Sequence, residues 1–298
     1  MAPPDPDNRG RSRPVALVTG ASRGIGRATA IDLAAAGFDL AITARTVREG
    51  DGRSDTDPDI VLPGSLDSSS AMIEEAGGAV LAIAMDLLDR SAVVEAADRT
   101  VSRFGRLDVL VNNAIYQGVG GMELIADIDE PGLRNVIEGN VFAQVALVRA
   151  AMPHLLTAGG GTIVNMISST GYVDPPAPSG SGGWGLGYAM SKAAFGRVTP
   201  LVHVEYAGQG IRVFSVDPGL TVTEKMIASG RAEQYLRHFA AATPDVIGRA
   251  IRWLVTCPDE SEDLRGQVVL AQREVARRGL LPGWPPPRPT AARPEVAS

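Results

Sequence analysis

The sequence predicts an α/β fold: a single doubly wound domain in which helices flank a seven-stranded parallel sheet. Three observations support this prediction. Short apolar runs alternate with longer helical patterns along the chain, which is typical of βαβ units. The runs are almost continuously apolar, as expected for strands that are buried on both faces. A glycine-rich turn also separates the first apolar run from the first helical pattern.

Seven strands and five helices can be placed from this alternation. The strands are expected at Val15–Thr19, Asp39–Thr43, Ala79–Met85, Asp108–Val111, Thr162–Ile167, Ile211–Val216 and Gln267–Leu270. The helices are expected at Gly24–Ala36, Ser91–Phe104, Leu133–Leu156 (with Pro153 as a candidate kink), Tyr188–Ala207 and Pro244–Val255 (with Thr243 as N-cap). Residues 46–70 and 174–187 interrupt the pattern, and loops of that length are usually functional or disordered.

The two ends of the chain and its composition set further limits. Residues 1–13 and 282–298 are polar or proline-rich, so we expect disordered tails on either side of a domain at 14–281. A net charge of −6 disfavours nucleic acid as the main partner. The single cysteine, Cys257, fits a reducing compartment. Without a signal peptide or a membrane-length apolar run, we expect a cytoplasmic protein with no membrane partner.

The turn after the first strand is a candidate phosphate-binding loop. It reads Thr-Gly-Ala-Ser-Arg-Gly-Ile-Gly over residues 19–26. Glycines there permit a tight turn and let backbone N–H groups approach a pyrophosphate at a helix N-terminus. The alternative is a helix start that uses glycines only for packing. Directly after an apolar strand, the pattern favours a Rossmann-type dinucleotide site formed by Gly20, Ser22, Arg23, Gly24, Ile25 and Gly26.

The end of the second strand favours NADP(H) over NAD(H) as the cofactor. An acidic residue there would accept the ribose hydroxyls of NAD, but this strand ends in Ile-Thr-Ala-Arg, with Arg45 last. Arg45 can pair with a 2′-phosphate, and Arg23 in the glycine loop is a second candidate cation. Either arginine alone could be a solvated surface residue. Together, with no acid in place, they favour NADP(H).

Three later strand ends supply further candidate cofactor contacts. Asp86 could accept a hydrogen bond from the adenine amino group, with Leu87 beside the ring. Asn113 could tie neighbouring loops together, and the small Ala114 leaves room for the ribose. In each case an ordinary turn residue is the alternative. After the sixth strand, the nicotinamide carboxamide could be held by Pro218, Gly219, Thr221 and Thr223, although a simple loop exit would look similar.

A tyrosine and a lysine form the candidate reacting centre. Tyr188 and Lys192 are four residues apart and therefore share a helix face. A nearby cation lowers a tyrosine pKa from its usual value near 10, so that the phenol can exchange a proton near neutral pH. Ser168, at the end of the fifth strand, could hold the substrate oxygen, with Ser169 as a rival. Asn140 is a poor mid-helix residue and suggests a local distortion that holds a water.

Taken together, these motifs resemble the short-chain dehydrogenase/reductase family over residues 14–272. The resemblance implies a catalytic tetrad of Asn140, Ser168, Tyr188 and Lys192, and no metal. Ser168 would polarise the carbonyl, Tyr188 would transfer the proton, and Lys192 would tune the tyrosine and bind the nicotinamide ribose. Asn140 would hold a water that continues a proton relay. The resemblance also implies a homodimer or homotetramer.

The sequence departs from the family pattern at several points. Ile115 replaces the glycine that usually follows the two asparagines and alanine, and the 174–187 loop lengthens the gap from Ser168 to Tyr188. The chain lacks the usual Val-Asp-Gly-Gly ending. Together with an insert at 62–66, these features resemble the branch that contains hydroxysteroid dehydrogenase-like proteins.

The expected substrate is an apolar or amphipathic carbonyl compound or alcohol. Its walls would come from residues 115–121, 174–187 and a lid at 224–242, which carry Tyr116, Trp184, Leu186, Met226, Ile227, Tyr235 and Phe239. Packing of these side chains on the surface or in a subunit interface is the alternative. A 3-oxoacyl-thioester reductase shares the chemistry but needs a cationic patch for a carrier. A non-catalytic NADP(H)-binding regulator has no need of Tyr188 and Lys192.

Overall fold

The computed structural model describes residues 13–230 and 241–286. Within them, seven strands form one parallel sheet in the order β3-β2-β1-β4-β5-β6-β7. The strands are β1 Val15–Thr19, β2 Asp39–Ala44, β3 Val80–Ala84, β4 Val109–Asn112, β5 Gly161–Met166, β6 Ile211–Asp217 and β7 Val268–Leu270. The strand order reverses between β1 and β4, which is where a ligand crevice opens in such sheets. The predicted fold is confirmed.

Helices cover both faces of the sheet. They are α1 Gly24–Ala35, α2 Leu66–Glu75, α3 Arg90–Phe104, α4 Glu130–Ile137, α5 Ala143–Thr157, α6 Leu186–Gly196, α7 Val198–Tyr206, α8 Glu224–Ala228, α9 Pro244–Thr256 and α10 Ala271–Arg278. On one face α1 and α9 bury residues such as Leu33 and Ile251, and on the other α3 and α5 bury Val93 and Leu147. Because both faces are covered, all five residues of β1 are buried.

Two predicted helices differ from the structure. The helix expected at Leu133–Leu156 is interrupted by a π-helical stretch, Glu138–Phe142, and Pro153 lies inside α5. The distortion therefore falls at Asn140, as its poor helix propensity indicates. The helix expected at Tyr188–Ala207 is divided into α6 and α7. The division is explained by Pro200 in the first turn of α7, which has no N–H to donate to the preceding turn.

The insert between β2 and α2 is anchored to the domain. Arg53 and Val61 form an antiparallel bridge, and the Gly64 amide donates to the Glu49 carboxylate at 2.6 Å. Ser65 caps the start of α2. Leu62 is buried against the domain. The insert, which we define as residues 46–65, therefore holds a fixed path beside the carboxyl end of β2.

The described chain extends beyond the predicted boundary of the C-terminal tail. Trp284 packs against the core, and its indole N–H donates to the Gln272 carbonyl at 3.1 Å. The expectation of a disordered tail starting at 282 is therefore corrected, because this aromatic side chain has apolar surface to bury. At the other end, Arg13 pairs with Asp39 at 3.1 Å. In residues 13–230 and 241–286, no helix has the length and hydropathy needed to cross a membrane.

Candidate active site

A cleft of about 430 Å³ opens at the carboxyl ends of β1, β2, β4 and β5. Every predicted dinucleotide-binding residue except Gly26 lines it: Gly20, Ser22, Arg23, Gly24, Ile25, Arg45, Asp86, Leu87, Asn113, Ala114, Tyr188, Lys192, Pro218, Gly219, Thr221 and Thr223. The cleft runs from the insert at one side, which we call the adenosine end, to Tyr188 and Lys192 at the other, which we call the reacting end. Its position is the one expected for a dinucleotide in an open parallel sheet.

The glycine loop is shaped by close backbone contacts. Gly20 has a φ of +68° and Gly24 a φ of +57°, values that favour glycine. A Cβ on Gly26 would lie 2.3 Å from the Gly20 carbonyl oxygen, so Gly26 allows α1 to pack against the loop rather than lining the cleft. The Asn113 side-chain amide donates to the Thr19 carbonyl at 2.8 Å and thereby ties the loop after β4 to the glycine loop, as expected.

Two observations test whether a dinucleotide fits this cleft. Thr43 lines the cleft at the adenosine end, and its hydroxyl, which is buried, has no hydrogen-bond partner among the described residues. A ligand group would satisfy it. Against this, the Glu224 carboxylate accepts a hydrogen bond from the Gly24 amide at 2.9 Å, at the N-terminus of α1, and pairs with Arg27 at 3.7 Å. The residues fit a dinucleotide, provided that Glu224 yields this position to a diphosphate.

At the adenosine end, both candidate arginines already have partners. Arg45 pairs with Asp55 at 2.5 Å. Arg23 donates to the Pro63 and Gly64 carbonyls, each at 2.8 Å. Neither side chain is therefore simply solvated. Asp55 also lines the cleft and was missed in the sequence, because it lies well downstream of β2 and reaches Arg45 only through the path of the insert.

The remaining cofactor candidates are held by backbone contacts, one within its own turn and two with distant parts of the chain. The Asp86 carboxylate accepts a hydrogen bond from the Leu88 backbone amide at 2.9 Å. This bond is typical of an ordinary turn residue, which was the alternative to a role in binding adenine. The Ala114 amide donates to the Thr19 hydroxyl at 2.9 Å. After β6, Thr221 forms a bridge with Ala242. Each residue nevertheless presents part of its surface to the cleft.

Three members of the predicted tetrad meet at the reacting end. The Ser168 hydroxyl accepts a hydrogen bond from the Thr170 amide at 3.4 Å and lies close enough to the Tyr188 phenol to lower its pKa. The Lys192 ammonium lies 6.0 Å from the centre of the Tyr188 ring and donates to the Met166 carbonyl at 2.8 Å. Lys192 is buried. The helix spacing of four residues thus places the phenol and the ammonium on one face, as expected.

The expectation that Lys192 lowers the pKa of Tyr188 is wrong for this structure. Burial raises the pKa of Tyr188, and the nearby Ser168 hydroxyl lowers it only in part. Burial also lowers the pKa of Lys192 to about 8. The physical reason is desolvation, since Lys192 is buried and Tyr188 is partly buried, and the Lys192 ammonium donates to the Met166 carbonyl.

Asn140, the fourth candidate, lies in the π-helical stretch beside α6. Its side-chain oxygen accepts a hydrogen bond from the Tyr116 amide at 2.7 Å, and its amide group donates to the Tyr116 carbonyl at 3.1 Å. A longer bond of 3.4 Å reaches the Ser191 hydroxyl. Asn140 therefore fixes the loop after β4, which forms one wall of the cleft.

The predicted substrate wall is only partly assembled. Tyr116 and Met226 line the cleft, joined by Ile115 and Leu220. Trp184 and Leu186 instead line a separate, shallow cavity of about 550 Å³, because the 174–187 loop turns away from the cleft. Ile227 is exposed. Tyr235 and Phe239 lie outside the described residues.

Another carboxylate that the sequence did not reveal lies near the reacting end. Asp217 ends β6 and is buried, and it accepts a hydrogen bond from the Tyr172 hydroxyl. An aspartate before Pro-Gly reads as a turn residue in the sequence, so no signal distinguished it. Among residues 13–230 and 241–286, no cluster of His, Cys, Asp and Glu could hold a metal ion.

Comparison with known proteins agrees with this geometry. The sequence model of the short chain dehydrogenase family matches residues 14–53 and 62–234, and the unmatched gap falls in the insert, at Asp55. The chain is similar to short chain dehydrogenase mpl6 of Monascus purpureus, with 33% identity over 87% of this chain and 81% of that protein. It is also similar to a 3-oxoacyl-[acyl-carrier-protein] reductase of Synechocystis, with 31% identity over 82% and 90%.

A solved structure gives the same result. A short chain dehydrogenase from Mycobacterium paratuberculosis, bound to NAD, matches with a TM-score of 0.70 and 26% identity, covering 88% of this chain and 97% of that one. The family match covers most of the chain, including both ends of the cleft. With the fold, the glycine loop and the Ser168–Tyr188–Lys192 arrangement in place, the chain belongs to the short chain dehydrogenase family.

Proposed function

We propose that this protein is an NADP(H)-dependent oxidoreductase that interconverts a ketone or aldehyde and an alcohol, with Tyr188 as general acid and base. The observation that carries the proposal is the placement of Tyr188 and the buried Lys192 on one helix face that lines a glycine-lined cleft, with Ser168 close enough to the Tyr188 phenol to affect its pKa. A sheet of this kind binds a dinucleotide across the same cleft.

The bound dinucleotide supplies a hydride at nicotinamide C4. Ser168 orients the carbonyl oxygen by a hydrogen bond, and Tyr188 donates its phenolic proton to that oxygen as negative charge develops on it. For alcohol oxidation the same phenolate oxygen takes the proton back. Lys192, whose ammonium lies 6.0 Å from the centre of the Tyr188 ring, binds the nicotinamide ribose, and Asn140 fixes the wall of the cleft through the Tyr116 backbone.

The preference for NADP(H) rests on Arg45 and Arg23 at the adenosine end. Arg45 is held against Asp55 at 2.5 Å, so a 2′-phosphate must compete with this carboxylate for the guanidinium. Phosphate carries more charge than a carboxylate and accepts bidentate hydrogen bonds from arginine, which favours the exchange. The solved relative from Mycobacterium paratuberculosis is bound to NAD, so the cofactor test must include both dinucleotides.

The substrate class follows from the walls of the reacting end. Ile115, Tyr116, Leu220 and Met226 line the cleft there and present mainly apolar surface. Gln117 and Lys225 also line it and are joined by a hydrogen bond of 2.8 Å. An apolar or amphipathic carbonyl compound matches this wall.

The decisive experiment incubates the purified full chain with NADPH or NADH and a panel of ketones, aldehydes and acetoacetyl thioesters, and follows absorbance at the nicotinamide band. We expect turnover with NADPH that falls by about 10³-fold in Tyr188→Phe, while dinucleotide binding is retained. Turnover that survives Tyr188→Phe contradicts the mechanism. Tight NADPH binding without turnover on any carbonyl favours a regulatory nucleotide-binding protein instead.

A second candidate is reduction of 3-oxoacyl thioesters. It is favoured by the similarity to the Synechocystis 3-oxoacyl-[acyl-carrier-protein] reductase. A carrier-dependent enzyme needs a cationic surface near the mouth of the cleft to bind the acidic carrier. Comparing acetoacetyl-CoA with acetoacetyl carrier protein tests this directly, since a carrier-specific reductase turns over the protein-bound substrate at much lower concentration.

A further inference from the structure

Asp217 is a buried carboxylate at the reacting end that the mechanism above does not use. It ends β6, and its neighbour Val216 is in register with Met166 of β5, whose carbonyl accepts the Lys192 ammonium. Only 4% of Asp217 is exposed. A carboxylate rarely remains at this depth without partners, because desolvation disfavours its charge.

The partners of Asp217 come from two different loops. One oxygen accepts the Gly219 amide at 2.9 Å, in the loop after β6 that carries Thr221 and Thr223. The other accepts the Tyr172 hydroxyl, in the loop after β5 that carries Ser168. Tyr172 is about half exposed, so its hydroxyl reaches inward to the carboxylate while its ring stays at the surface. The pair therefore joins the two loops on either side of the reacting end.

Asp217 also acts on the charges of both reacting groups. Burial lowers the pKa of Lys192, and the Asp217 carboxylate offsets part of that effect. The same carboxylate adds to the raised pKa of Tyr188 and, with burial, raises the pKa of Tyr172. Among the described side chains, the charged group that acts on both Tyr188 and Lys192 is Asp217. Tyr172 is hydrogen-bonded to Asp217, and Tyr188 and Lys192 are the other titratable groups on which its charge acts.

We propose that Asp217 and Tyr172 form a positioning pair: the pair ties the Ser168 loop to the Pro218–Thr223 loop, and its negative charge keeps the Lys192 ammonium protonated beside the Tyr188 phenol. The proposal rests on the proposed function and adds a determinant to it. Asp217 touches neither substrate nor cofactor in this role. It acts through Lys192 and Tyr188, whose proton affinities its charge raises.

The test measures the pH dependence of kcat for carbonyl reduction in the wild type, Asp217→Asn, Asp217→Glu and Tyr172→Phe. Removing the negative charge lets both Tyr188 and Lys192 lose their protons more easily. We therefore expect the alkaline limb of the Asp217→Asn profile to move down by about one pH unit. Asp217→Glu should keep the alkaline limb at its wild-type pH, because it keeps the negative charge. Tyr172→Phe leaves the limb in place but raises KM, because only the tie between the loops is lost.

A direct titration separates this inference from the proposed function. The chain has five tyrosines, so ¹³Cζ-tyrosine NMR can follow each phenol, with Tyr188→Phe used to assign Tyr188. In the cofactor-free protein, the Tyr188 midpoint falls in Asp217→Asn if the inference is right, whether or not a substrate has been found. An unchanged midpoint and an unchanged limb overturn it. A uniform loss of kcat at every pH, not rescued by glutamate, also overturns it, since that indicates a purely structural residue.

Discussion

The two ends of the cleft are built in different ways. At the reacting end, Tyr188 and Lys192 share one face of α6, and the buried Lys192 ammonium donates to the Met166 carbonyl. At the adenosine end, Arg45 at the end of β2 pairs with Asp55 in the insert, and the Arg45 side chain is 49% exposed. Buried, mutually bonded groups are costly to change, whereas exposed ion pairs contribute little to stability. We therefore expect changes at the reacting end to affect turnover strongly and changes at the adenosine end to affect cofactor choice mildly.

The largest effect is expected at Ser168. Ser168→Ala removes the hydroxyl beside the Tyr188 phenol that we propose holds the substrate oxygen, and kcat should fall by about 10²–10³-fold, as for loss of one oxyanion donor. Ser169→Ala is the matched control, since Ser169 begins the following short helix, and its kcat should stay within about threefold of the wild type. Equal losses in both variants would show that the two serines were wrongly distinguished.

A smaller effect is expected at Arg45. Arg45→Ala should weaken NADPH binding about tenfold, the size expected for loss of a charge-assisted hydrogen bond, and leave NADH binding unchanged. Fluorescence titration with each dinucleotide measures both constants. Arg48→Ala, near the start of the insert, controls for the general loss of positive charge. If Arg45→Ala and Arg48→Ala weaken NADPH equally, Arg45 is not the phosphate ligand.

The pH dependence of stability should also reveal the reacting end. Lys192 has a pKa of about 8 in the folded protein, below its ordinary value of 10.5. The unfolded chain therefore binds more protons than the folded one between these values, and stability from this group rises with pH there. We expect the difference in unfolding free energy between the cofactor-free wild type and Lys192→Met to increase by about 1 kcal/mol per pH unit above pH 8. Denaturant unfolding at several pH values checks this, and a constant difference contradicts it.

The smallest effect concerns the contact between Glu224 and the glycine loop. Glu224→Gln removes a negative charge from the N-terminus of α1, where it competes with a diphosphate for the Gly24 amide. Affinity for NADPH and NADH should rise together by about two- to fivefold, the size of a charge at a helix terminus. Isothermal titration with both dinucleotides measures this. Weaker binding would mean that Glu224 assists the cofactor instead of competing with it.

The same contrast explains what could be predicted from the sequence. Buried parallel strands are apolar runs that end at turns, so β1 was placed to the residue and the others within two residues. The distortion at Asn140 follows from its poor helix propensity. The division between α6 and α7 was not predicted, although Pro200 is a local signal for it. These are local signals, and the reacting end depends mainly on them.

Long-range contacts could not be predicted in the same way. The pairing of Arg45 with Asp55 depends on the path of the insert, which is fixed by contacts such as Glu49 with Gly64. The raised pKa of Tyr188 depends on burial, which the spacing of Tyr188 and Lys192 does not reveal. The tie between Tyr172 and Asp217 joins two loops whose separation is set only when the sheet forms.

The packing of Trp284 connects the far end of the chain to the chemistry. Its indole holds the Gln272 carbonyl, and the Gln272 side chain in turn donates to the carbonyls of Pro218 and Leu220, at 2.8 and 2.9 Å. Trp284 and Gln272 thus hold the loop after β6, which borders the reacting end of the cleft. Proteolytic removal of Trp284, or a fusion partner that displaces it, would therefore loosen the loop after β6. The change would act through these three hydrogen bonds, without altering any residue of the cleft.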